Sequence, residues 1–135
     1  MLKDIEEYVV QNVGIAIVQE WDEKGNDIIY NAYVINLRET VLEGVLVKSN
    51  GYGTIEGEHR ETSTLRHFLD TIEPMSYCKI EPIQHELFVL NNRFMLTYFE
   101  NNKLYDKEFV FENNTIHPDH FKQVPFLRKP GILII

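Results

Sequence analysis

Residues 58–67 hold the densest reactive chemistry in the chain. Glu58, His59, Arg60, Glu61, Ser63, Thr64, Arg66 and His67 fall within ten positions. Guanidinium forks match the planar geometry of carboxylate and phosphate groups. Arg60, Ser63, Arg66 and His67, joined by Lys79, therefore make the candidate anion- or small-ligand-binding set. Ser63 and His67 also stand four apart and would share one face of a helix. With Asp70 they suggest a nucleophile, a base and an orienting acid, as a hydrolase would use. Such triads join groups from separate elements, and a single helix face orients them poorly. The plainer reading is a capping serine among solvated side chains.

Other candidates are sparser. His117 and His120 are three apart around Asp119, and two imidazoles on one turn could hold a divalent metal if a third ligand came from elsewhere. No H-E-x-x-H or C-x-x-C motif accompanies them, so no metal or other cofactor is expected. Gly51, Gly53 and Gly57 give G-x-G-x-x-x-G, one residue off the dinucleotide spacing and without a clear following helix. No G-x-S-x-G elbow occurs. Glu81 stands two residues from Lys79, which alternation along a strand reads as a same-face surface ion pair. The seven tyrosines and eight phenylalanines could stack nucleobases, but they lack interleaved Lys and Arg and read as core.

Composition narrows the classes further. The chain has 135 residues and a net charge of −8, from 13 Lys+Arg against 21 Asp+Glu. Binding a phosphate backbone needs clustered cations, so the balance argues against a nucleic-acid partner. The 44% hydrophobic content is enough for a packed core, so disorder is excluded. One cysteine, Cys78, permits no internal disulfide, which excludes the disulfide-stapled secreted class. The first seven residues carry three acids and no apolar run, so no secretory signal is read there. No stretch approaches the ~20 apolar residues of a membrane span. These features point to the cytoplasm and to no membrane partner. Residues 1–47 carry −6, 48–112 carry −4 and 113–135 carry +2.

The elements that must position these groups read as β. Val13–Trp21 is a β-branched run ended by the turn residues 22–26. Residues 27–37 are apolar on both faces, as a central strand covered on both sides would be. Residues 38–40 turn the chain and 41–48 return it. Ser49-Asn50-Gly51-Tyr52-Gly53 reads as a turn or loop. Residues 54–74 stay open: Leu65, Phe68, Leu69 and Ile72 follow helical spacing, but a loop and short strand fit equally. Residues 77–82 form a short strand that Pro82 confines to an edge. Arg93 to Phe111 is a hairpin about a type I′ turn at Asn101-Asn102, because Asn tolerates the left-handed region. That register faces Glu100 with Lys103, Tyr98 with Tyr105 and Phe94 with Phe109. The opposite face pairs Phe99 with Leu104, Thr97 with Asp106 and Met95 with Glu108. His117 or Thr115 would cap a short turn opened by Pro118. Gly131–Ile135 is a last strand that must dock in its own sheet or on a second chain.

About seven short strands and little helix indicate an all-β fold, an immunoglobulin-like β-sandwich with one or two short helical turns. No linker divides the chain, so residues 1–135 read as one domain.

Several segments together resemble a small family of uncharacterised bacterial proteins. They are E-W at 20–21, Y-V-I-N-L at 33–37, L-E-G-V-L-V at 42–47, T-S-T-L-R-H at 62–67, K-I-E-P at 79–82 and Y-D-K-E-F-V-F at 105–111. Members are sometimes labelled phenylalanyl-tRNA synthetase subunits, which implies a translation-associated, RNA-binding role. The residues themselves favour a non-catalytic module that binds a protein partner or forms a homodimer, since edge strands and an apolar tail invite pairing.

Overall fold

The computed structural model describes residues 8–135. Ten strands form two antiparallel five-stranded sheets: β1 Val13–Trp21, β2 Ile28–Asn36, β3 Leu42–Ile55, β4 Glu58–Glu61, β5 Leu65–Ile72, β6 Ser76–Ile83, β7 Asn91–Glu100, β8 Lys103–Phe111, β9 Lys122–Gln123 and β10 Pro130–Ile134. The helical content of these residues is two 3-10 turns, His85–Val89 and Pro118–His120. Sheet A has the order β6-β2-β1-β10-β9. In sheet B the long β3 pairs β7 on one side, and β4 and β5 on the other; β8 follows β7. The fold is the all-β sandwich that strand spacing predicts, with ten strands rather than seven because several expected loops are themselves paired.

The main core lies between the sheets, with Ile15, Ile17, Val34, Val47, Leu96, Tyr98 and Phe109 at its centre. β2 is covered on both faces, as its sequence requires. Ala32 and Val34 enter the main core, while Tyr33 and Ile35 join Ala16, Val18 and Val124 in a second cluster on the outer face of sheet A. Val124 and Leu127 bring the C-terminal segment over that face. The final strand docks within its own chain, Ile15 opposite Ile134 and Val18 opposite Gly131. A Cβ on Gly131 would stand 2.3 Å from the Ile17 carbonyl oxygen, so only glycine lets β10 approach β1 here.

The hairpin takes the register read from its turn. Tyr98 faces Tyr105, Phe99 faces Leu104 and Thr97 faces Asp106, with Asn101 and Asn102 at φ 51° and 63°. Its tip differs from expectation in one respect. Glu100 stays opposite Lys103 along the backbone but turns its side chain inward to Arg38, and the Lys103 ammonium lies 5.1 Å from the centre of the Tyr8 ring.

One expectation is corrected, and one open reading is decided. Residues 49–53 do not turn; β3 runs on through them to Ile55, and the reversal falls at Glu56-Gly57, φ 51° and 80°. Gly51 and Gly53 serve close packing instead, since a Cβ on either would sit 3.3 or 3.4 Å from the Leu90 methyls. Residues 65–72 are a strand, not a helix. Their helical spacing is a period of two broken by a bulge. Leu69 turns inward, Asp70 takes φ 61°, the register against β3 shifts, and Ile72 is the next residue to be buried.

Candidate functional site

Strand alternation decides what residues 58–67 can do. β4 is exposed throughout, and the Arg60 Nη2 donates to Glu58 Oε2 at 3.2 Å. Ser63 lies where the chain crosses from β4 to β5. There Thr62 anchors it to β3: its N–H donates to the Gly51 carbonyl at 2.8 Å, and its Oγ1 accepts from the Gly51 N–H at 2.8 Å. On β5, Arg66 pairs across from Lys48 on the outer face of sheet B, and His67 next to it points inward. Lys79 sits on the outer face of sheet A beside Tyr33. The five residues expected to gather around an anion are therefore split. Ser63 and His67 remain near the seam between β5 and β6, while Arg60, Arg66 and Lys79 point elsewhere. Asp70, the expected third member of a triad, is exposed at the β5 bulge.

A carboxylate occupies the place expected for an anion. β6 carries a bulge at Ile80, so Lys79 lies opposite Tyr33 and Glu81 opposite Ala32. The extra residue turns Glu81 to the inner face, away from Lys79, and no surface ion pair forms between them. The Ser49 hydroxyl donates to Glu81 Oε1. The same oxygen lies 3.4 Å from His67 Nε2, a buried nitrogen without a hydrogen-bond partner. Ser49, Thr62, Ser63, Glu81 and Asn92 border a cavity of about 50 Å³. That is room for a few waters, not for an organic substrate. The order is also unsuited to acyl transfer. A hydrolytic serine needs the imidazole as its base, and here the carboxylate stands between hydroxyl and imidazole. The group ties β3 and β5 of sheet B to β6 of sheet A.

Glu81 was missed in the sequence because the β6 bulge breaks the alternation that would assign it a face, and Ser49 because residues 49–53 read as a turn. The signal available was Pro82, which marks β6 as an edge strand where bulges concentrate.

Two more carboxylates are held by donors. Glu100 is nearly buried and takes a fork from Arg38, Nε at 2.5 Å and Nη2 at 3.0 Å, and also accepts from the Thr40 hydroxyl. Burial alone would raise its pKa, but the Arg38 and Thr40 bonds and the Arg38 charge hold it below the usual carboxylate range. Burial, with the Glu100 charge behind it, pushes the Tyr98 phenol up to about 12. Glu20, on the outer face of sheet A, accepts from Lys129 Nζ at 2.6 Å, from Asn31 Nδ2 at 2.9 Å and from the Tyr33 hydroxyl. Burial opposes its charge, and these bonds together with the ammonium overcome it, so its pKa is also low. Each carboxylate has its donors inside the chain and pins a loop or the C-terminal segment.

His117 caps the turn that Pro118 opens, its Nδ1 accepting the Asp119 N–H at 3.1 Å. The His117 and His120 rings are 6.4 Å apart and nearly perpendicular. Among the described residues no group of three or more His, Cys, Asp or Glu side chains is placed to hold a metal.

The remaining candidate is a surface. The outer face of sheet B carries Phe68, Phe99 and Leu104 at 68%, 44% and 50% exposure, with Leu46 and Met95 half-buried among them. Phe68 opposes Leu46 on β3 and Phe99 opposes Leu104 on β8, with Thr97 across from Leu46 and Glu43 across from Phe99. The flanks of the face differ in charge, with Arg66 and Lys48 toward β5 and Asp106 and Glu108 on β8. No helix among the described residues is long and apolar enough to cross a membrane.

No family model matches the chain, and no curated protein matches it.

Proposed function

We propose that this chain is a non-catalytic, cytoplasmic interaction module that self-associates through the outer face of sheet B. One contrast carries the reading. The outer face of sheet A is covered by the chain's own residues 124–133, which build a second apolar cluster there. The outer face of sheet B bears Phe68, Phe99 and Leu104 in the open. A second copy of the chain gives these side chains the cover that the C-terminal segment gives sheet A. A reducing compartment suits Cys78, whose partial burial raises the thiol pKa and makes it a poor nucleophile.

Sedimentation equilibrium tests this. The wild-type chain is expected to be a dimer in the micromolar range, and Phe68→Asp is expected to be a folded monomer, because Phe68 is exposed and outside the core. A wild-type chain that stays monomeric at high micromolar concentration overturns the proposal.

A further inference from the structure

We propose that the triplet Asp106-Lys107-Glu108, at the centre of β8, keeps this open sheet edge from pairing with the β8 of a second copy. The proposal is independent of the contact proposed above, which uses the face of sheet B and not its edge. A strand at a sheet edge presents a row of unpaired N–H and C=O groups, and chains blunt such edges by shortness, bulges, proline or charge. Four strands here are blunted by shape. β4 has four residues and β9 two. β5 bulges at Leu69, and β6 bulges at Ile80 and carries Pro82. β8 is different. It ends sheet B, runs for nine residues without Pro or Gly, and pairs β7 with no break in register.

The turn fixes which backbone groups of β8 are open. Around a two-residue hairpin loop the flanking pair is hydrogen-bonded, and bonded pairs recur at every second position. Glu100 opposite Lys103 starts the series, so Lys103, Tyr105, Lys107, Phe109 and Phe111 turn their N–H and C=O toward β7. Leu104, Asp106, Glu108 and Val110 turn theirs outward, and among the described residues no backbone bond reaches them. These four can bond to a second, antiparallel β8 only opposite one another. The register of fullest overlap then sets Asp106 opposite Glu108 of the second copy, and Lys107 opposite Lys107. The Lys107 pair is of the non-hydrogen-bonded kind, with Cα atoms only about 4.5 Å apart. The smallest slip either way sets Asp106 opposite Asp106 or Glu108 opposite Glu108. Like charges directly opposite destabilise a strand pair, and each of these registers contains them.

The charges are not cancelled within the chain. Lys107 is half-buried on the inner side of β8, opposite the fully buried Leu96, with its ammonium 5.1 Å from the centre of the Phe109 ring. Among the described residues neither Lys107 nor Asp106 has an ion pair. Glu108 lies 3.6 Å from Arg93, but Glu61 approaches the same guanidinium at 3.8 Å, so two carboxylates share one cation. A strand added at this edge would close over the inward-pointing lysine and strip its water without supplying an acid.

The test reads edge pairing by hydrogen exchange of the amides at 104, 106, 108 and 110, with sedimentation alongside. Every chain carries Phe68→Asp, so contact through the outer face is absent and its success or failure does not enter. One variant is neutral, Asp106→Thr/Lys107→Thr/Glu108→Thr. The other is inverted, Asp106→Lys/Lys107→Glu/Glu108→Lys. The three positions lie outside the core, and circular dichroism checks folding. The parent and the inverted chain are each expected to stay unpaired, because like still faces like. Mixed one to one, they are complementary at all three positions and are expected to pair, slowing exchange of the four amides at least about tenfold. The neutral chain is expected to pair with itself and show the same slowing. Slowed exchange at these amides in the parent alone overturns the proposal. So does a neutral variant that folds and exchanges like the parent. Should that variant not fold, the mixture decides, and exchange no slower than in the separate chains overturns the proposal.

Discussion

The Arg38–Glu100 pair offers the sharpest test of the energetics. Glu100 is 4% exposed and accepts both arms of the Arg38 fork plus the Thr40 hydroxyl. Glu100→Gln keeps the shape but replaces one oxygen with an NH2 group. That group must face a donor, either an arm of the guanidinium or Thr40, and the guanidinium loses its counter-charge. Breaking one side of a buried pair costs about 3–5 kcal/mol. For a chain of this length that lowers Tm by roughly 10–18 °C. The companion variant Arg38→Met/Glu100→Leu removes both charges and is expected to lie within about 2 kcal/mol of wild type. Acid adds a second readout. Glu100 has a folded pKa below its unfolded value of about 4.3. Its contribution is therefore complete above that unfolded value and is lost as pH falls through the folded one. The gap between wild type and Glu100→Gln should be constant above about pH 4.3 and shrink as pH falls below it. Urea denaturation at each pH measures it. A Glu100→Gln variant within about 1 kcal/mol of wild type, with a pH-independent gap, refutes the assignment of a buried charge pair.

Other substitutions probe the rest of the fold. Gly131→Ala drives a methyl into the Ile17 carbonyl, 2.3 Å away, and is expected to cost about 1–3 kcal/mol or more; a calorimetric Tm equal to wild type would contradict the register of β10 on β1. Lys129→Met removes the 2.6 Å donor to Glu20. Because Lys129 is half exposed, the loss at neutral pH should stay under about 1 kcal/mol. The Glu20 pKa, followed by carboxyl NMR, should rise, and an unchanged titration would rule out the pairing.

Much of the fold was legible because local chemistry and tertiary pairing agree. The I′ turn at Asn101-Asn102 fixes the hairpin register, since both positions demand positive φ and Asn accepts it. The two apolar faces of β2 announce two covering layers, and both are present. Legibility ends at the bulges. Leu69 and Ile80 are each an unpaired extra residue in a strand, and side chains beyond them change face. At β5 this imitated a helix. At β6 it hid Glu81, which alternation had assigned to the surface beside Lys79. The candidate anion set is split by regular alternation instead. Arg66 and His67 are neighbours in sequence and lie on opposite faces of one strand.

The same alternation gives the bare face its meaning. A strand whose outer side meets only water gains nothing from large apolar residues there, and β7 and β8 could carry Thr, Lys and Glu throughout. They carry Phe99 opposite Leu104, with Met95 two rows along. On β5, Phe68 stands out beyond Leu46. A Cβ on Gly44 would be 3.3 Å from the Phe99 ring, so this ring lies against the sheet and closes over a glycine at φ 56°. Phe68 is 68% exposed, and the proposal that a second copy of this chain covers the face rests on that exposure.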